Sequence, residues 1–267
     1  MRIALAQIVS GREPERNLDL VARGVGEAAA EGADLVVFPE ATMRAFGHHL
    51  SSIAEPVDGP WASAVRALAQ QHGVTVVVGM FTPGVGERVR NSLLVTGPGV
   101  EAAYDKIHLF DAFGFAESDT VTPGEHPVLV EVAGLTVGLA TCYDVRFPAL
   151  FIDLALAGAQ VVVLAASWGA GPDKVDQWEL LVRARALDST AYVVACGQAD
   201  PEAAGVEAVA GAPTGVGHSM VVDPLGRVVV RLGDHPKMIM VDVDPADVAA
   251  ARRTLPVLAN RRTWPPP

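Results

Sequence analysis

The sequence predicts an α/β layered fold. Short β-branched runs recur from end to end, segments with helical spacing alternate with them, and several runs are apolar at every position. Continuous apolarity suits strands covered on both faces, and alternation of strand with helix suits layers of helix on sheet.

The first run, Ile3 to Ile8, is followed by Asn17 to Ala30, which places Leu18, Val21 and Val25 on one helical face. Leu35 to Phe38 is the next strand. Pro60 to His72 then opens on a proline suited to a first helical turn and aligns Trp61, Val65 and Leu68. Val74 to Met80 and Ser92 to Thr96 form a block of strands. Leu135 to Ala140, Val161 to Ala166 and Tyr192 to Ala195 follow, separated by helical segments at Phe147 to Ala157 and Gln177 to Asp188. Gly158 suits the end of the former helix. Asp223-Pro-Leu-Gly226 is a turn signal between Met220 to Val222 and Val228 to Arg231. Residues 202–214, rich in Ala and Gly, are expected to form a mobile loop. No linker or break in composition interrupts the chain, so a single domain over residues 1–267 is expected, with a C-terminal tail from about residue 256.

Charge and composition exclude several classes. Twenty Lys and Arg stand against 31 Asp and Glu, a net charge of −11, with no basic stripe. Such a surface repels phosphate backbones and anionic lipid, so no nucleic-acid or membrane partner is expected. Two cysteines, Cys142 and Cys196, are too few for a disulfide scaffold or a four-cysteine zinc site, and no metal-ligand spacing is present. The apolar run at the N-terminus breaks at Gln7, too short for a signal peptide, and no stretch reaches the ~18 apolar residues of a membrane span. A cytoplasmic protein is expected.

Reactive groups in α/β folds collect at strand ends. Three polar residues stand there against the demands of packing: Glu40 after Leu35 to Phe38, Lys106 within Tyr104 to Asp111, and Cys142 after Leu135 to Ala140. Cys142 precedes a helical segment, whose N-terminus lowers a thiol pKa and offers N–H groups to an oxyanion. Cys196 ends a core strand with no charged neighbour and reads as inert. A thiol nucleophile needs a base. His48, His49, His72, His126 and His235 read as surface residues, whereas His108 and His218 lie in more ordered contexts. A carboxylate such as Glu40 serves equally if burial raises its pKa, and Lys106 supplies fixed positive charge. From the residues alone, histidine and glutamate both remain open as the base.

The segments taken together narrow the choice. Phe38-Pro-Glu40, Tyr104 to Asp111, Glu117 to Gly124 and Cys142-Tyr-Asp-Val-Arg-Phe-Pro148 occur in this order, with a chain-long likeness running from Ile3 to Gly226. This pattern resembles the nitrilase superfamily of carbon–nitrogen hydrolases. The resemblance implies a four-layer α-β-β-α sandwich, a catalytic set without metal or organic cofactor, and a homodimer or higher homo-oligomer pairing through the helices nearest the nucleophile. By position it implies Glu40 as general base, Cys142 as nucleophile, Lys106 as stabiliser of the tetrahedral intermediate and Glu117 as a second glutamate beside the lysine. The backbone N–H of Tyr143 is implied as the other oxyanion donor. The Cys-Tyr-Asp-Val-Arg context is similar to the nitrilase-like amidases, including omega-amidase and deaminated glutathione amidase. An ω-amide of a 2-oxo acid is therefore the expected substrate.

Arg146 is a candidate carboxylate clamp, with a structural ion pair to Asp144 or a neighbour as its alternative. Phe113, Phe115, His108 and Trp168 are further candidates for lining the substrate pocket. Asp105 stands where many relatives carry Arg and is expected to raise the lysine pKa or disfavour an anionic substrate. The same Glu–Lys–Cys set also suits a nitrile or N-carbamoyl amino acid hydrolase. A catalytically silent binding protein on this fold is the non-enzyme alternative, and its mark would be loss of Glu40, Lys106 or Cys142.

Overall fold

A computed structural model of the chain describes residues 1–262. In chain order the elements are β1 (Arg2–Gln7), α1 (Pro14–Ala30), β2 (Leu35–Val37), α2 (Pro60–His72), β3 (Thr75–Pro83), β4 (Val89–Gly97) and β5 (Val100–Asp105). A short hairpin, β6 (Asp111–Ala112) and β7 (Phe115–Ala116), follows. The second half holds β8 (Leu129–Val132), β9 (Leu135–Thr141), α3 (Pro148–Leu156), β10 (Val161–Ala166), α4 (Lys174–Ser189), β11 (Tyr192–Gly197), β12 (Met220–Val222), β13 (Val228–Arg231), β14 (Lys237–Asp242), α5 (Pro245–Thr254) and α6 (Val257–Asn260).

Two six-stranded mixed sheets result, ordered β14-β1-β2-β3-β4-β5 and β13-β12-β11-β10-β9-β8. Each has three parallel strands, β1-β2-β3 in one and β9-β10-β11 in the other, flanked by antiparallel neighbours. The two-residue period of a strand explains the continuous apolar runs. In β10, Val161, Val163 and Ala165 face the opposite sheet, while Val162, Leu164 and Ala166 face the α3–α4 layer. In β1 and β2, Ile3, Leu5, Leu35 and Val37 point between the sheets, and Ala4, Ala6 and Val36 point at α1 and α2. Burying one such Val or Leu fully contributes about 1.5–3 kcal/mol, and the alternation secures it on both faces. The layers are therefore α-β-β-α, as expected. No helix among the described residues is long and apolar enough to cross a membrane.

Boundaries follow local chemistry. Pro14, Pro60 and Pro148 each occupy a first helical turn, Gly73 closes α2 in the left-handed region, and Asp244 caps α5 through Ala246 N at 2.8 Å. Helix α4 begins at Lys174, three residues before the expected Gln177. Strands β5, β8 and β14 and helix α5 add to the expected elements. The first three pair at sheet edges or against β1, where mixed polar and apolar residues are tolerated. Residues 198–219 form turns without a regular element. The tail expected from residue 256 holds α6 to Asn260, and its residues 263–267 lie outside the described residues.

Candidate active site

The parallel strands β2, β9 and β10 end on one side of the sandwich, and the side chains singled out above meet there. Glu40 follows β2 by way of Phe38 and Pro39. Its turn lies against β3 at Gly79, where a Cβ would come within 2.6 Å of Ala41 N and 2.7 Å of Pro39 O. Only glycine permits this approach, and the backbone bonds Gly79 N to Pro39 O and Met43 N to Gly79 O fasten it. Lys106 leaves β5 beside Gly124, whose N–H donates to the Lys106 carbonyl and whose Cβ would strike Asp105 O at 2.1 Å. Cys142 follows β9 at φ 47°, a left-handed conformation costing on the order of 1–3 kcal/mol for a residue with a Cβ. That turn swings the thiol out of the strand direction.

The polar core is dense. Lys106 Nζ donates to Glu40 Oε1 at 3.0 Å and to Glu117 Oε1 and Oε2 at 3.1 and 2.9 Å. Glu40 Oε2 accepts from Ser167 N at 2.7 Å, and Glu117 Oε2 accepts from Phe110 N at 2.7 Å. Asn91 Nδ2 donates to Glu40 Oε1 at 2.7 Å and to Glu117 Oε1 at 3.2 Å. Glu40, Lys106, Glu117 and Asn91 are all buried. Asn91, inside β4, was not among the expected site residues. An amide between Arg90 and Ser92, in a strand otherwise rich in Val and Leu, was its only sequence signal.

Burial holds the Glu40 carboxyl above the ordinary carboxylate range despite the opposing pull of Lys106. The Lys106 ammonium is depressed by burial, but Glu117 and Glu40 outweigh this and lift it well above the ordinary lysine value. Burial and then the charge of Glu40 push the Cys142 thiol well up. This corrects the expectation that a helix N-terminus lowers it. Residues 142–146 form a single 3-10 turn before α3, and the carboxylate beside the sulfur outweighs any dipole of that turn. The Cys142 thiol sits within the field of the Glu40 carboxylate, and its hydrogen-bond partner is Ser167 O at 3.8 Å from Sγ.

A cavity of about 1020 Å³ opens onto Glu40, Lys106, Glu117 and Cys142. Tyr143, Arg146, Trp168 and Phe115 line it as expected, and Lys174 joins them. His48 and His49, read from sequence as surface residues, lie on its wall, as do Val209 to Pro213 of the 198–219 segment. Ser167 Oγ donates to Pro213 O at 2.5 Å and so fastens that wall to the end of β10.

Other expected residues stand elsewhere. His108 is not on the cavity wall: its Nδ1 lies 2.7 Å from Asp144 Oδ1 and its ring stacks on Phe147 at 3.7 Å. The buried Asp144 also accepts from Tyr104 OH at 2.6 Å and Thr141 N at 2.8 Å, so it braces the turn carrying Cys142. Arg146 therefore does not pair with Asp144. Its guanidinium donates to Gln177 Oε1 at 2.8 Å and lies 5.1 Å from the Trp168 ring centre. Phe113 is 80% exposed at the hairpin tip and touches Lys174 rather than the cavity. Asp105 turns away from the lysine ammonium to Ser92 Oγ at 2.6 Å and Arg90 at 3.4 Å, which removes the expected effect on Lys106. His218 lies 3.5 Å from Glu179, off the cavity. Neither of these two histidines lies on the cavity wall with the thiol, whereas Glu40 is the buried carboxylate whose charge acts on it.

Comparison with known proteins identifies the family. The carbon–nitrogen hydrolase family model matches residues 2–253. A hydrolase of Mycobacterium tuberculosis is 57% identical, the alignment covering 98% of this chain and 95% of that one. The deaminated glutathione amidase of Escherichia coli O157:H7 is 35% identical over 100% of this chain and 99% of its own. Among solved structures, a CN-hydrolase superfamily protein of Xanthomonas campestris with an arsenic adduct in its active site superposes with a TM-score of 0.84. It is 25% identical, covering 100% of this chain and 99% of that one.

Proposed function

The chain belongs to the carbon–nitrogen hydrolase family, and from that premise we propose that it is an amidase releasing ammonia from small linear ω-amides of 2-oxo acids through a cysteine thioester. The observation that carries this reading is the buried Glu40–Lys106–Glu117 cluster on the cavity that holds Cys142.

Glu40, raised by burial, accepts the thiol proton as Cys142 attacks the amide carbon. The oxyanion that forms is met by the Lys106 ammonium and the backbone N–H of Tyr143. The C–N bond breaks as Glu40 returns the proton to the leaving nitrogen, so ammonia departs and a Cys142 thioester remains. Water then gives a proton to Glu40 and attacks the thioester carbon. The C–S bond breaks, the thiol regains its proton and the acid leaves. Glu117 accepts from Lys106, Asn91 and Phe110 N, which fixes the ammonium beside the sulfur.

The substrate class rests on the pocket and on one relative. A cavity of about 1020 Å³ is large for a four-carbon amide and suits a peptide-like acyl group. Arg146 and Lys174 stand on its wall without a carboxylate partner among the described residues, and the relative named deaminated glutathione amidase points the same way. Ammonia release from 2-oxoglutaramate, deaminated glutathione, aliphatic amides, N-carbamoyl amino acids and nitriles tests the reading. Turnover centred on the first two supports it. Carbon dioxide beside the ammonia would move it to carbamoyl hydrolysis.

Self-association through α3 and α4 is part of the proposal. Leu156, Leu180 and Leu187 on these helices and Val228 and Val229 on β13 are exposed. Exposed apolar side chains on this helix layer and on the edge strand of its sheet suit a second copy of the chain.

A further inference from the structure

We infer that Lys174, together with Arg146, forms a two-cation subsite that takes the carboxylate end of an ω-carbamoyl 2-oxo acid while its amide lies at Cys142. The inference rests on the reading that anionic amides are substrates, and it adds a residue with no counterpart among the expected site positions.

The lysine is built into place. The Trp168 indole N–H donates to the Lys174 carbonyl at 2.9 Å, which fixes the first residue of α4 against the end of β10. The side chain then crosses the same tryptophan. Its Nζ lies 4.2 Å from the ring centre of Phe113, and 5.9 Å from those of Phe110 and Trp168. Arg146 approaches Trp168 at 5.1 Å. One indole thus carries two cations, and both line the cavity that holds Cys142.

Neither cation meets a carboxylate among the described residues. Arg146 donates to the neutral amide of Gln177, and Lys174 Nζ has only aromatic faces. Glu40 and Glu117 are both committed to Lys106. Two like charges held over one ring without a counter-ion repel each other, and an anion between them relieves that repulsion. After burial, Arg146 is the next cause depressing the Lys174 ammonium, in keeping with this arrangement. The exposed Phe113 at the hairpin tip also gains a purpose: its face holds the ammonium at the cavity wall.

A guanidinium grips both oxygens of a carboxylate, and an ammonium adds a point charge beside it. A neutral amide of the same length gains from neither. The test compares kcat/KM on 2-oxoglutaramate and pentanamide for wild type, Lys174→Met and Lys174→Arg, with calorimetric Kd values for 2-oxoglutarate. Loss of a charge-assisted bond predicts that Lys174→Met lowers the preference for the anionic amide about 10- to 100-fold, mainly through KM. The Kd for 2-oxoglutarate weakens to the same degree, and Lys174→Arg restores most of both. An unchanged preference and Kd in Lys174→Met would overturn the inference. If wild type fails to hydrolyse 2-oxoglutaramate, the substrate reading fails instead. The 2-oxoglutarate Kd then still decides the lysine, because equal or absent binding in both proteins rejects the subsite.

Discussion

Asn91 Nδ2 stands 2.7 Å from Glu40 Oε1, the same oxygen that accepts from Lys106. The amide reaches Glu117 as well, so one side chain sets the spacing of both carboxylates. Its orientation is forced, since a carbonyl oxygen in that place would face two acceptors.

Replacing Asn91 by Ala removes a charge-assisted bond from the base, and a fall in kcat of about 10- to 100-fold is expected. Glu40 then loses a group that favours its charged form, so its pKa rises further. In the proposed mechanism Glu40 works ionised, so the acidic limb of the kcat–pH profile is expected to move to higher pH. A fall in kcat with an unmoved limb would assign Asn91 to structure alone.

Lys106 neutralises one of two buried carboxylates, leaving the cluster with net negative charge. Lys106→Met strands both, at a cost of about 3–5 kcal/mol at neutral pH. Glu40→Gln leaves a balanced Lys106–Glu117 pair and should unfold at or above the wild-type temperature while losing activity. A carboxyl whose folded pKa is raised binds its proton more tightly in the folded chain. Its contribution to stability is full below the free carboxyl pKa of about 4.3 and is lost as pH rises through the raised value. The deficit of Lys106→Met should therefore shrink toward acid pH. Melting curves from pH 4 to 8 check the sign.

Gly79→Ala would place a methyl 2.6 Å from Ala41 N, in the turn that carries Glu40. Overpacking there costs about 1–3 kcal/mol. Activity should fall further than the lost stability explains, because a displaced base loses its alignment with the thiol. Equal melting temperature and equal kcat would show that the turn adapts freely.

If the apolar side chains of α3, α4 and β13 meet a second copy, light scattering at micromolar concentration gives at least twice the 27.9 kDa chain mass. Leu180→Glu, at a residue 68% exposed, should shift the mass toward the monomer. A monomeric wild type contradicts the proposed association.

Glu40 and Cys142 were legible because each is a polar side chain following an apolar strand, where packing has no use for it, and Lys106 through the Tyr104 to Asp111 segment that carries the family resemblance. The inter-sheet core was legible from runs such as Val161 to Ala166, apolar on both faces. Asn91 was hidden because its partners lie 51 and 26 residues away, and only the folded sheet brings them together. The pairing of β14 with β1, joining Arg2 to Asp242, has no local signal at all. The thiol pKa was misjudged for the same reason: its direction is set by burial and by a carboxylate from the other sheet. Arg146 was assigned its alternative partner by sequence proximity, whereas His108 and Tyr104 had already claimed Asp144.

Cys142 is the proposed nucleophile and Glu40 its proposed base. Ammonia release from 2-oxoglutaramate and deaminated glutathione by wild type and by Cys142→Ala, at matched melting temperatures, tests this assignment most directly. The geometry predicts turnover by wild type and none above background in the variant, with an unchanged melting curve. Turnover that survives in Cys142→Ala would contradict the thioester route and move the chemistry to another group on the cavity wall.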